Sequence, residues 1–376
     1  MFSGWPYWRA LIRIAGGVSL SARSKRRLGR SCRTPLLAAI ILLTAGCAQR
    51  QPPSQDYATI ERRAPPEQPV KGPGGKDYTH AKVIHIAKDE NAAGFALFIP
   101  DDPVPESADV VVFLHGLAQV NPKMYGGWIE HLVRKGNIVI YPRYEKLLTP
   151  KNEFEANAVT GIKGALAELK VQCDAGNACV EPRLDHFAVF GHSYGGTLAA
   201  NITVHAQQHG LPKVQALMVN QGWYGPDIGL PEGYAAMPAD TKLLILVGST
   251  DPVVGPHFAK RLWRDTQIDP PFKNLVTHHS DFYNLFAPIA AGHDEPLSLQ
   301  QDYDNNTFTA LIGIALPLTR TNAVDFFCYW KLSEALLNCA FENQNCGTAF
   351  GNTPEQRFMG VWGDGRPVRE LEVRTP

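Results

Sequence analysis

Midway along the chain runs Phe187-Ala188-Val189-Phe190-Gly191-His192-Ser193-Tyr194-Gly195-Gly196-Thr197-Leu198-Ala199-Ala200-Asn201-Ile202. An apolar, strand-type run gives way to a glycine-rich turn and then to a run that suits a helix. The pattern predicts strand, sharp turn and helix, with Ser193 at the apex. Small residues on both sides let the backbone bend tightly and hold the hydroxyl in a strained, exposed position. The backbone N–H of Tyr194 opens the helix and points where an oxyanion would form. A bare G-x-S-x-G also fits an ordinary glycine-rich turn. The flanking strand and helix favour a nucleophile.

Working outward, Ala108-Asp109-Val110-Val111-Val112-Phe113-Leu114-His115-Gly116-Leu117 is a buried-type strand ending in His-Gly. Lys242-Leu243-Leu244-Ile245-Leu246-Val247-Gly248-Ser249-Thr250-Asp251-Pro252 is another, ending in an acid. With the serine turn between them, these segments resemble the α/β-hydrolase superfamily. The resemblance implies a second oxyanion donor at the Leu117 N–H and a triad in chain order Ser193, Asp251, His. A cap on the helix opening near Pro256 is the competing role for Asp251.

Three histidines are candidates for the base. His278 and His279 close the predicted strand Asn274–Thr277 and alternate faces if they continue it, so at most one points usefully. His293 lies in the Gly- and Pro-bounded loop Ala290-Ala291-Gly292-His293-Asp294-Glu295-Pro296, where a base reaches Ser193 while Asp251 orients its other nitrogen. We place the base at His293, with His279 second and His278 third. His278, His279 and Asp281 lack the second ligand cluster a metal would need, and no metal or other cofactor is expected.

The predicted strands are Val83–Ala87 and Phe95–Ile99 as an antiparallel pair, then Val110–Leu114, Ile138–Tyr141, Phe187–Phe190, Val214–Asn220, Leu243–Val247 and Asn274–Thr277. Helices are predicted at Met124–Lys135, Glu153–Leu169 and Asp325–Ala340. The later strands are continuous Val/Ile/Leu/Phe runs, as a parallel sheet covered on both faces requires. The expectation is one eight-stranded, mostly parallel α/β domain over residues 81–376 with a C-terminal helical extension. The segment from Gln221 to Asp240 is too short for a large helical cap and leaves room for a loop gate. Trp128, Trp223 and Tyr224 fit an acyl pocket or the core equally well, and the aromatics Phe326, Phe327, Tyr329 and Trp330 fit the core better.

Residues 1–46 read as an export signal. Arg23, Lys25, Arg26, Arg27, Arg30 and Arg33 form its basic region, and Leu36–Ala45 its apolar core. That core is shorter than the about 20 residues a spanning helix needs. Leu43-Thr44-Ala45-Gly46-Cys47 resembles a bacterial lipoprotein processing site, with Cys47 carrying lipid and Thr44 standing where leucine is usual. Residues 47–80 then form a Pro-rich tether. The implied place is extracytoplasmic, on a bacterial membrane held through the N-terminal lipid; Ala48 after Cys47 suits the outer membrane, and the periplasmic face is the other setting. A simple cleaved secretory signal is the alternative.

The 36 basic and 36 acidic residues balance, and part of the basic count belongs to the signal. No basic patch with interleaved aromatics appears, which argues against nucleic acid. Of seven cysteines, Cys173 and Cys179 flank a short polar loop, and Cys339 and Cys346 lie across a turn. Cys328 lies 11 residues before Cys339 on one helix, about 16 Å away, too far to pair with it. An extracytoplasmic address makes the two local disulfides reasonable. The constellation implies a serine hydrolase acting on a small carboxylic or lipid ester. An acyltransferase would use the same triad, a peptidase would need a signal for a peptide terminus that is not evident, and a non-catalytic binding lipoprotein would have lost a triad member.

Overall fold

The computed structural model describes residues 63–177, 179–308 and 320–376. The expected signal and Cys47 lie outside them. Strand β1 (Lys82–Lys88) pairs antiparallel with β2 (Phe95–Asp101), and β2 pairs antiparallel with β4 (Asn137–Pro142). From β4 onward the sheet is parallel through β3 (Ser107–Leu114), β5 (Glu181–His192), β6 (Ala216–Asn220), β7 (Lys242–Gly248) and β8 (Lys273–His278). With a further strand β9 (Glu372–Arg374), the order among the described residues is β1-β2-β4-β3-β5-β6-β7-β8-β9. The ninth strand corrects the expected eight. Glu372–Arg374 (β9) adds antiparallel to β8 at the far edge. Three residues of Glu-Val-Arg carry no strand pattern by themselves, and their pairing is imposed by the tail that delivers them.

Successive side chains of each central strand enter opposite cores, as the two-residue period dictates. Val111 and Phe113 pack on one face with Phe98, Val139, Phe190 and Leu244. Val110, Val112 and Leu114 pack on the other with Ile138, Val189, Leu217 and Ile245. The first face is covered by α1 (Gly126–Arg134) and by α5 (Trp330–Glu342), the second by α2 (Phe154–Asp174), α3 (Tyr194–His205) and α4 (His257–Asp265). A 3₁₀ turn at Pro122–Tyr125 precedes α1, so the helix starts two residues later than the sequence suggests: Asn121 caps that turn and Pro122 fixes its first φ.

The tail after residue 320 is core rather than accessory. A π-helical turn at Asp325–Tyr329 leads into α5. Phe327, Tyr329 and Trp330 are buried in the first core, Trp330 stacks on His131 at 4.7 Å, and the indole of Trp128 donates to Ser333 Oγ at 3.0 Å. Trp128 is thus a fully buried core residue, not a pocket wall. Residues 63–80, assigned from sequence to the tether, pack against this body. Gly363 N donates to Ala64 O, Gly74 N to Glu334 at 2.8 Å and Thr79 N to Arg134 O. Cys173–Cys179 and Cys339–Cys346 are disulfides, and Cys328 is a buried free thiol. No helix among the described residues is long and apolar enough to cross a membrane.

Candidate active site

β5 ends at His192, and the chain reverses into α3 through Ser193, which takes φ 56° and ψ −121°. A non-glycine residue at positive φ costs on the order of 1–3 kcal/mol and persists only where its surroundings fix it. Here the Ser193 N–H donates to Asn220 O at 3.0 Å, while its carbonyl accepts from Gly196 N and Trp223 N, each at 3.0 Å. The flanking glycines are needed for closeness rather than for φ. A Cβ on Gly195 would lie 2.1 Å from Leu114 O, and one on Gly191 2.1 Å from Gly195 O. The helix therefore sits directly against the end of β3, beside the His115-Gly116-Leu117 segment. Ser193 is only 6% exposed, which corrects the exposed apex expected from the motif.

β7 delivers Asp251 and the loop after β8 delivers His293. The imidazole Nε2 lies 3.0 Å from Ser193 Oγ, and Nδ1 lies 2.8 Å from Asp251 Oδ2. The other carboxylate oxygen accepts the backbone N–H groups of Val253 at 2.7 Å and Val254 at 3.1 Å. That turn fixes the carboxylate, and α4 begins at His257 without a side-chain cap from it. Because the ionised carboxylate can only accept, Nδ1 carries the proton and Nε2 is free to take one from the hydroxyl. Of the three candidate histidines, His293 alone is brought to Ser193. His279 Nε2 pairs with Glu372 at 3.0 Å, across the β8–β9 edge. His278 is buried in the sheet, and neither of its ring nitrogens has a hydrogen-bond partner among the described residues. Asp281 accepts from Tyr283 N, Arg369 N and the Trp362 indole, so it pins the tail.

The oxyanion candidates occupy the two sides of the same corner. Leu117 follows β3 and Tyr194 opens α3, and neither N–H has a partner among the described residues. Next to Leu117, Ala118 at φ 61° donates its N–H to Glu145 at 2.6 Å. Burial pushes the Glu145 carboxyl up to about 7, against the opposing pull of that hydrogen bond. Trp223 stacks on the Tyr194 ring at 5.1 Å, and Asp227 joins both, accepting from Tyr194 OH at 2.8 Å and from the Trp223 indole at 3.3 Å. Tyr224 is half exposed beside His257. The segment 221–241 contains turns and no helix, in keeping with a loop at this position.

Sequence reasoning missed a buried network behind the serine. The Gly116 N–H donates to Tyr125 OH at 2.9 Å, Tyr125 OH lies 2.8 Å from His192 Nδ1, and His192 Nε2 lies 2.9 Å from the His293 carbonyl. Burial holds His192 well below its ordinary pKa, against the opposing pull of its hydrogen bond to the His293 carbonyl. The neutral ring then donates from Nε2 to the carbonyl and accepts from the tyrosine at Nδ1. The network joins the His-Gly loop to the loop carrying His293. Gln221, at φ 48°, adds a second tie by donating to Gly292 O at 2.5 Å. His192 stands inside the serine motif, but Tyr125 lies 67 residues away and nothing local marks it.

Residues 74–220 match the family model described as Chlorophyllase, a family in the α/β-hydrolase superfamily. The match covers about two fifths of the chain, from before β1 to the end of β6, and stops short of Asp251 and His293. No curated protein matches the chain. The sheet order and the family match together show an α/β-hydrolase fold and, at that coarse level, a hydrolase of this type.

Proposed function

We propose that this chain is a serine hydrolase that cleaves carboxylic or lipid esters through an acyl-enzyme. The supporting observation is the unbroken line from Asp251 through His293 to Ser193, with each separation at hydrogen-bond length and the carboxylate otherwise held by backbone. Ser193 Oγ attacks the ester carbonyl while His293 takes its proton, and the resulting imidazolium is stabilised by Asp251. The Leu117 and Tyr194 N–H groups receive the oxyanion, each worth on the order of 3 kcal/mol in the transition state. His293 returns the proton to the leaving alkoxide, and water then resolves the acyl-enzyme by the same route. The family match ends before the base and the acid, so the substrate in that family's name is not carried over.

His293→Ala should lower turnover of a short-chain aryl ester by at least about 10³-fold, since one group serves as base, acid and activator of the nucleophile. His279→Ala should change it by less than about threefold, because that ring pairs with an exposed carboxylate at the sheet edge and not with Ser193. The reverse ranking would move the base to the end of β8.

The same reading places the enzyme outside the cytoplasm, held to a bacterial membrane by lipid on Cys47. It is supported by the basic and short apolar runs before that cysteine. Stable anchoring needs more than one acyl chain. Cell fractionation tests it. Cys47→Ser should remove the mature protein from the membrane fraction, whereas wild-type protein found wholly soluble, with no lipid mass on its N-terminal peptide, would contradict the anchor.

A further inference from the structure

A second cluster lies at the other end of the nucleophile helix. Glu155 stands in the first turn of α2, His205 ends α3, and His209 lies one turn further, its N–H still bonded to His205 O at 3.0 Å. Along α3 this is about 18 Å from Ser193. Glu155 Oε1 lies 2.7 Å from His205 Nδ1 and 2.8 Å from His209 Nε2, and the three atoms all fall within 4.8 Å of one another. The i, i+4 spacing puts both imidazoles on one side of the turn. We propose that Glu155, His205 and His209 bind one borderline divalent cation, Zn²⁺ first among them, and that the ion clips the C-terminal end of α3 to the first turn of α2.

The donor set decides the class of ion. Two imidazole nitrogens and one carboxylate oxygen suit zinc, nickel or copper and are poor for calcium or magnesium, which take oxygen. Ligands held 2.0–2.1 Å from a tetrahedral ion lie about 3.3 Å apart, so the carboxylate must withdraw by roughly half an ångström. The site has that freedom: the side chains are 20%, 21% and 28% exposed for His205, Glu155 and His209. The open side leaves the fourth position to water. The other nitrogen of His205 faces Glu232 at 4.0 Å, the outer carboxylate that orients many metal-bound histidines. A cation here also lies at the negative end of the α3 dipole.

One other grouping of comparable donors occurs among the described residues, at Asp109, His186 and Glu342. There Arg183 already places its guanidinium 2.7 Å from Asp109 Oδ1, so the charge a metal would supply is present. Among the described residues no lysine or arginine pairs with Glu155, whose partners are the two imidazoles themselves.

The test is calorimetric titration of ZnCl₂ into chelator-treated, untagged mature protein, with the melting temperature followed in parallel. The proposal expects one Zn²⁺ per chain and a melting temperature that rises with zinc. His209→Ala and Glu155→Gln should each weaken binding by at least about tenfold and abolish the rise, while His186→Ala leaves both unchanged. Gln at 155 still accepts from both histidines, which separates loss of the ion from loss of the fold. Wild-type protein that takes up no stoichiometric zinc would overturn the proposal. So would binding that persists in both cluster variants, or that is lost in His186→Ala.

Discussion

Ser193 shows how single residues divide the labour in this site. Its hydroxyl meets His293 from a backbone held at positive φ, and four hydrogen bonds to its own N–H and C=O hold it there. His278 illustrates the opposite case, a titratable ring that the site does not use. Both its nitrogens are buried without a hydrogen-bond partner among the described residues, and burial pushes its pKa down from 6.5 to about 3. The unfolded chain takes up a proton near pH 6.5 and the folded chain refuses it until about pH 3. Stability is therefore lost as pH falls through that window, by about 1.4 kcal/mol per unit for this group. His278→Leu removes the penalty while keeping the volume close. Its melting temperature relative to wild type should rise steadily as the pH is lowered from about 6.5 to 4; a difference independent of pH would show that His278 titrates normally.

At the scale of elements, the strand–turn–helix motif was legible because its chemistry is local: apolar run, glycines, serine and helix-compatible run lie within sixteen consecutive residues. What the glycines do was less legible, since the contacts come from another strand. Gly195 gives way to the carbonyls of Leu114 and His115 at the end of β3, at 2.1 and 2.3 Å from where a Cβ would stand. A Cβ on Gly196 meets its nearest neighbour only at 3.2 Å. Gly195→Ala should accordingly cost about 3 kcal/mol or more and displace Ser193, whereas Gly196→Ala should cost about 1 kcal/mol. Urea denaturation of the two variants compares them directly, and equal midpoints would mean that α3 is not seated on β3 as described.

The whole molecule explains where sequence reading stopped. Continuous Val/Ile/Leu runs such as Val110–Leu114 and Leu243–Val247 announce strands buried on both faces, so the parallel sheet could be read directly. The edge strand Glu372–Arg374 has no such run and is set by its partner, Thr277–Leu275. The two disulfides were visible because each closes a short local loop. Burial of Ser193, the Tyr125–His192 network and the seating of residues 63–80 depend on contacts between distant segments, and no local pattern records them. Loop position alone ranks His293 over His279 and His278 in the sequence; in the fold the three are separated by their partners, His293 meeting Ser193, His279 pairing with Glu372 and His278 buried in the sheet.

All of these scales meet in the claim that Ser193 is an activated nucleophile. Labelling with a fluorophosphonate probe, followed by mass spectrometry of the modified peptide, tests it most directly. An activated Ser193 takes one phosphonyl group per chain, with labelling abolished in a folded Ser193→Ala variant and slowed by at least about 10³-fold in His293→Ala. Undiminished labelling of folded Ser193→Ala, or a probe found on another residue, would contradict it.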